Sequence, residues 1–211
     1  MFERSAIILA GGGSKRMNGD KGLRSLGGDP LVRHVIRRVS SIVEEVLLIV
    51  ASEKQRKEYT ATINGGVELL VDLYEDGSPL VGAITGLKKA QGRYAFITGC
   101  DTPFIAQEAV SLLFRVAEGF DGATFRWPNG WIEPLLAVYR VEPSLTLALE
   151  AYRNGDLRLR TVLHGLPQIR LIPLESLRAL DPRLLTLFDV DTDDDLLKAE
   201  TILRTITKPQ G

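Results

Sequence analysis

Leu9–Gly22 reads LAGGGSKRMNGDKG, and the interpretation of this stretch decides the fold. It follows the apolar run Ser5-Ala6-Ile7-Ile8-Leu9, which reads as a short buried strand. Within one stretch it then supplies consecutive glycines, the cations Lys15, Arg16 and Lys21, and Asp20. Glycine lets the backbone turn tightly and aim its N–H groups at an anion. The cations add charge, and the planar fork of Arg16 fits a phosphate. A loop of this kind at the end of a first parallel strand is built to hold a nucleotide's phosphates. Two other phosphate loops are excluded. A Walker A loop needs a Gly-Lys-Ser/Thr ending, whereas Lys21 lies between Asp20 and Gly22. The dinucleotide fingerprint needs a third glycine where Arg16 stands.

Downstream, Leu31, Val32, Val35, Ile36, Val39, Ile42 and Val43 recur at helical spacing, with Pro30 suited to the first helical position. His34 falls inside this helix as a surface or core-edge residue. Val46–Ala51 is a second buried strand, followed by the polar segment Ser52–Tyr59. Val67–Val71 is a third strand, ending at Asp72. The turn-rich Glu75–Pro79 leads into a helix carrying Leu80, Ile84 and Leu87, and Tyr94–Thr98 is a fourth strand running into Gly99-Cys100-Asp101-Thr102-Pro103. Short apolar strands alternating with helical patterns imply a parallel sheet covered on both faces, and right-handed crossovers make it doubly wound.

From Gly122 the texture changes. Ala123–Trp127 and Trp131–Tyr139 read as a hairpin around Pro128-Asn129-Gly130. Helices around Ser144–Tyr152 and Leu157–Leu163 precede a short strand at Ile169–Ile172. A last helix starts at Thr192, with Asp195 placed to close a capping box, and Lys208–Gly211 is expected to fray.

The 211 residues suit one large α/β domain, and 45% hydrophobic with 25% charged residues is ordinary for a soluble globular chain. A net charge of -1 argues against a general binder of nucleic acid or anionic membrane. The single cysteine excludes an intrachain disulfide and a cysteine-rich zinc site, and two scattered histidines argue against a histidine-based metal site. No apolar run approaches the roughly 20 residues of a membrane span, and Met1–Arg4 lacks the features of a signal peptide. The expectation is a cytoplasmic protein whose metal, if it binds one, is a hard cation held by carboxylates.

Ligands of open α/β sheets gather at the carboxyl ends of the strands. There this chain places the glycine-rich loop, Ser52, Asp72 and Asp101. Asp101, rigidly held by Thr102-Pro103, is short enough to fix a Mg²⁺ ion, which takes one or two carboxylates plus substrate phosphates. The alternative is that Asp101 caps the helix beginning near Ala106. Asp72 contacts ligand or merely initiates a loop. Cys100 reads as a small buried residue, and Trp127 and Trp131 either stack on a flat ligand or enter the core.

The first loop resembles L-A-G-G-x-x-x-R-M-G-x-D-K, the signature of nucleotidyltransferases with a GT-A-like fold, with Asn18-Gly19 as a small departure. Within that superfamily the chain looks most like the molybdenum cofactor guanylyltransferases, from Ile7 to about Leu203. The string Cys100-Asp101-Thr102-Pro103 resembles that family's metal-binding motif, and Asp72 ahead of Ser78-Pro79-Leu80-Val81-Gly82 its acidic residue before G-P-L-x-G. Glu133–Tyr139 resembles its H/E-P-L-x-A-x-Y strand, Asn154–Arg158 its G-x-x-R turn, and Phe188–Thr192 its F-x-N-x-N-T segment, with aspartate at both asparagine positions. Ser52 stands where the family often has a base-recognising asparagine.

This likeness implies a single three-layer α/β/α domain over residues 1–211, Rossmann-like and mostly parallel, with a small β-hairpin extension. Residues to about 120 would bind the NTP and about 121–205 the acceptor. Leu9, Ala10, Gly11, Gly12, Gly13, Lys21, Ser52, Asp72 and Gly82 would contact nucleotide. Arg158, assisted by Arg160, would hold the acceptor's terminal phosphate. Arg16, Lys21 and Asp101 would be catalytic, and Asp101 would bind Mg²⁺. Asp191 is a second candidate ligand, or it favours the last helix's N-terminus electrostatically. The implied reaction transfers GMP from GTP to molybdopterin and releases pyrophosphate, with passing contact to proteins of molybdoenzyme maturation. A nucleotidyltransferase using CTP or another phosphate acceptor, and an inert nucleotide-binding regulator, remain the alternatives. The central expectation is that Lys21 and Asp101 face one nucleotide.

Overall fold

The computed structural model describes residues 3–11, 20–63 and 65–207. The first strand, β1 (Arg4–Leu9), is followed after the glycine-rich stretch by a 3-10 turn at Lys21–Leu23 and a small antiparallel pair, β2 (Ser25–Leu26) and β3 (Asp29–Pro30). Next come α1 (Leu31–Val39), β4 (Glu45–Val50), α2 (Glu53–Thr62), β5 (Glu68–Val71), α3 (Pro79–Lys89) and β6 (Tyr94–Gly99). The second half adds α4 (Gln107–Ala117), β7 (Gly122–Arg126), β8 (Ile132–Arg140), α5 (Val141–Arg153), α6 (Leu159–Gly165), β9 (Ile169–Pro173), α7 (Leu174–Leu180) and α8 (Asp193–Thr207).

Seven strands form one sheet in the order β5-β4-β1-β6-β8-β7-β9. β1 pairs in parallel with β4 and β6, and β4 with β5, whereas β8 runs antiparallel between β6 and β7. Alternation along β1 divides the core. Ala6 and Ile8 pack on one face with Val32, Val35 and Val39 of α1 and Val110, Leu113 and Phe114 of α4. Ile7 packs on the other with Leu80, Ala83, Ile84 and Leu87 of α3 and Ala148 and Ala151 of α5. The expected three-layer, mostly parallel architecture is therefore present. A third cluster, Leu26, Leu31, Phe104, Val190 and Ala199, seats α8 against β2.

Several expectations need correction. The hairpin of β7 and β8 is no extension: it continues the main sheet, because β8 hydrogen-bonds along β6 from Thr98 to Tyr94. α1 ends at Val39, since Ser40 Oγ and N–H both bond the Ile36 carbonyl, and Ile42 and Val43 pack from a turn beyond it. Pro30 precedes the helix as its cap residue. The segment after Ser52 is the helix α2, and α7 was not expected at all. α2 buries only Tyr59, so it has no apolar stripe to betray it. At the far end Thr192 Oγ accepts from Asp195 N–H at 3.2 Å while Asp195 Oδ2 accepts from Thr192 N–H at 3.2 Å, closing the expected capping box. The expectation for Lys208–Gly211 lies outside the described residues.

Candidate active site

Register brings the chemistry to one edge. Leu9 pairs with Ile49 and with Gly99, and Val50 with Val71, so the carboxyl ends of β1, β4, β5 and β6 lie level. Beyond the strands the pairing continues: Ala10 N–H donates to Ile49 at 2.7 Å, Asp72 N–H to Val50 at 2.8 Å and Cys100 N–H to Leu9 at 3.1 Å. The backbone at these four strand ends is thus fixed by hydrogen bonds.

An open cleft lies there. Leu9, Ala10, Gly11, Lys21, Asp72, Gly82 and Asp101 all line it. A second cleft shares Gly99, Asp101 and Leu135 with the first and adds Trp127, Glu133, Asp189 and Asp191. Asp101 is therefore common to both. The expected residues Gly12, Gly13 and Arg16 lie outside the described residues.

Lys21 and Asp101 are in contact. Lys21 Nζ donates to Asp101 Oδ2 at 2.9 Å and to Asp191 Oδ1 at 2.6 Å. Burial works against the ammonium's charge, but the hydrogen bonds and charges of Asp191 and Asp101 outweigh it and hold the pKa above its ordinary value. Lys21 is thus a fixed cation in the first cleft, bound to the Asp101 that lines both. The two carboxylates converge on one point, which is the donor set a hard divalent ion takes when phosphates complete its shell.

Local structure explains why Asp101 stands there. β6 is buried along its whole length, and Asp101 folds back over Gly99, where a Cβ would collide with its Oδ1. Asp101 O accepts from Val190 N–H at 2.9 Å, which carries Asp191 alongside. Arg38 of α1 braces the following segment by donating to the carbonyls of Pro103 at 3.0 Å and Ile105 at 3.1 Å. The capping alternative is eliminated, because α4 starts after Ala106 without a side-chain cap. Asp191 is not the cap of α8: Thr192 and Asp195 cap that helix, Asp193 pairs with Arg24, and Asp191 turns to Lys21.

Asp72 lies between two glycines. A Cβ on Gly11 would stand 3.1 Å from one of its oxygens, and a Cβ on Gly82 3.6 Å from the other. Burial pushes its pKa up to about 6, moderated by the Thr85 hydroxyl 3.4 Å away. In the second cleft, burial and then the charges of Asp101, Asp191 and Glu133 push Asp189 up to about 7, and burial raises Glu133.

Two expected residues stand elsewhere. Ser52 caps α2, accepting from Gln55 N–H at 3.2 Å, and lines neither cleft. The Arg158 guanidinium binds Asp156 through two 2.8 Å hydrogen bonds at the start of α6, again outside both clefts. Arg160 lies over the Trp131 ring, which is 47% exposed, whereas Trp127 is half-buried in the second cleft. Sequence reasoning gave no role to Glu133 or Asp189, although the departure from asparagine at 189 marked that position. It also missed a network beside Lys21, in which Asp20 accepts from Tyr59 OH at 2.5 Å and Gln55 Nε2 at 2.7 Å. A tyrosine alone in a polar helix leaves no sequence signal.

Comparison with known proteins agrees with this geometry. The MobA-like NTP transferase domain family matches residues 6–169. A probable molybdenum cofactor guanylyltransferase of Natronomonas pharaonis is 34% identical over 94% of this chain and 98% of its own length. A molybdenum cofactor guanylyltransferase of Desulfosudis oleivorans is 30% identical over 95% and 96%. The crystal structure of molybdopterin-guanine dinucleotide biosynthesis protein A from Archaeoglobus fulgidus superposes with a TM-score of 0.81 at 25% identity, covering 96% of this chain and 99% of that one. The glycine-rich edge, the Lys21–Asp101 contact and these likenesses converge: the chain belongs to the molybdenum cofactor guanylyltransferase family of MobA-like NTP transferases.

Proposed function

We propose that this chain transfers GMP from GTP to the terminal phosphate of molybdopterin, with the triphosphate in the first cleft and the acceptor in the second. The observation that carries this reading is the shared wall. Asp101 lines both clefts, with Lys21 bound to it, so a nucleotide and an acceptor would meet at one charged point.

An acceptor phosphate oxygen attacks the α-phosphorus in line. The bond from that phosphorus to the bridging oxygen breaks, and the electron pair leaves with pyrophosphate. The second pKa of a phosphate monoester is about 6, so the nucleophile is already ionised near neutrality. No general base is needed, and neither His34 nor His164 lines either cleft. What this chain contributes is alignment and charge. Lys21, with Arg16 and the loop amides, steadies the triphosphate; Gly11 and Gly82 leave room for the nucleotide; Asp72 accepts from its base or ribose. Asp101 and Asp191 would hold Mg²⁺, which when bound offsets charge on the phosphates. Trp127 offers the acceptor's flat ring an apolar face. Arg158 is held by Asp156 and takes no part in this scheme as it stands. Handover of the product to a molybdoenzyme maturation protein accompanies the same reading.

Ser52 supports a second reading of base choice. Committed to capping α2, it leaves no side chain at that position for guanine, and CTP becomes a competitor. Pyrophosphate release, measured with Mg²⁺ and each of the four NTPs with and without molybdopterin, decides between them. Release with GTP only when the pterin is present is the expected result; release with CTP, or with a different phosphate acceptor alone, would replace it.

A further inference from the structure

Asp20 closes the glycine-rich stretch, yet a carboxylate there repels the phosphates that the stretch is built to hold. Its surroundings give it a different task. Asp20 Oδ1 accepts from Tyr59 OH at 2.5 Å and from Gly22 N–H at 3.0 Å, and Oδ2 accepts from Gln55 Nε2 at 2.7 Å. Gln55 in turn accepts from Ala51 N–H at 2.7 Å, tying the network to the end of β4. Tyr59 is fully buried, in a helix whose other residues are exposed or half-buried. Burying a hydroxyl is costly without a partner, and phenylalanine would fill the same core space, so the phenol is explained by the bond it makes to Asp20. Gly22 completes the arrangement, because a Cβ there would collide with Tyr59 OH and stand 3.0 Å from Cys100 Sγ. The residue before Lys21 is held by three hydrogen bonds, and the residue after it rests on a floor of Tyr59 and Cys100.

We infer that Tyr59 and Gln55 are positioning residues for nucleotide binding: through Asp20 they fix the backbone on both sides of Lys21, so that its ammonium stands ready for the triphosphate. Neither side chain lines the cleft, so neither touches substrate. This rests on the GTP-binding reading above. The interaction acts on the phosphate-binding segment alone, so its loss should scale with the ligand's phosphates.

The test is calorimetric titration of wild type, Tyr59→Phe, Gln55→Ala, Asp20→Ala and Tyr59→Phe/Asp20→Ala with GTP and with guanosine. Wild type that binds neither ligand refutes the functional reading itself, independently of the variants. Where wild type binds, Tyr59→Phe is expected to weaken GTP about tenfold, the scale of one hydrogen bond to a charged group, and to leave guanosine within about twofold. Gln55→Ala, which keeps the floor under Gly22, gives the same phosphate-dependent pattern even if the tyrosine variant folds poorly. On the Asp20→Ala background, Tyr59→Phe should add no further loss, as expected for residues acting through one another. Equal losses for GTP and guanosine, no loss of GTP affinity in either single variant, or additive losses in the double variant would each overturn the inference.

Discussion

Asp72 sits in the cleft between Gly11 and Gly82, and burial raises its pKa from 3.8 to about 6. A carboxyl whose folded pKa is raised favours the fold while it is protonated, and that contribution is lost as pH rises from 3.8 through about 6. At neutral pH the fold therefore carries a desolvated charge. Asp72→Asn should raise Tm near pH 8, with the gain shrinking toward pH 4, while GTP binding weakens. In the parent, GTP affinity should fall more steeply as pH drops through about 6 than in the variant, which keeps only the step of the ligand's own terminal phosphate; identical pH profiles in both would remove Asp72 from nucleotide recognition. Asp101→Ala removes one carboxylate from both clefts and from Lys21, and turnover should fall on the order of 10²-fold or more. Mg²⁺ titration followed by calorimetry in the presence of GTP should show weaker uptake, and parental uptake would move the ion elsewhere. Lys21, Asp72 and Asp101 were legible in the sequence because a short apolar strand ends just before Asp72, a buried one just before Cys100-Asp101, and a glycine-rich loop follows another just before Lys21. Glu133 and Asp189 were not, since what joins them to Asp101 is chain folding across long separations, through β8 and the Val190–Asp101 bond.

α3 shows one element serving both packing and site. Gly82 and Gly86 are one helical turn apart on its sheet-facing side. A Cβ at Gly86 would stand 2.5 Å from the Ile7 side chain, which is fully buried and cannot retreat. Gly86→Ala should destabilise the protein by about 1–3 kcal/mol, the range for overpacking a filled core. It should leave the GTP affinity of the folded fraction unchanged. A Cβ at Gly82 meets Leu9 at 3.0 Å, on the wall of the first cleft. Gly82→Ala should cost nucleotide affinity with a smaller change in Tm. Denaturant melts and GTP titrations on both variants check the contrast, and a reversed ranking would mean that α3 contributes no wall to the site. Elements with a clear pattern, β1, β4, β6 and α3, could be read from the sequence because each buries an apolar run or stripe. α2 could not, with Tyr59 its only buried residue, and α7 is a short helix whose start follows directly from β9. The hairpin's turn was legible, but its place in the sheet was not, because pairing of β8 to β6 is set by the sheet's free edge, not by the turn.

At the scale of the molecule, the first and second halves of the chain share structure at every level. β8 supplies the antiparallel neighbour of β6, so the sheet crosses the boundary near residue 120 without a break. Ile7, Leu47 and Ile49 of the first half pack in one cluster with Tyr139, Ala148 and Val162 of the second. Tyr74 stacks on Tyr152 with ring centroids 4.4 Å apart, and Tyr152 OH donates to Asp76 at 2.6 Å. α8 returns to the start of the chain, where Glu200 accepts from Gly27 N–H at 2.8 Å. Neither half retains a closed core alone, and a fragment ending near residue 120 would leave the β6 edge unpaired, a surface prone to association. We therefore expect one cooperative unfolding transition. Trp127 and Trp131 both lie in the second half, so their fluorescence reports there while far-UV circular dichroism reports on the whole. The two melts should coincide, and GTP, bound in the first half, should shift both by the same amount. Two separated transitions, or a GTP shift confined to the dichroism signal, would show instead that the second half is a domain with its own stability.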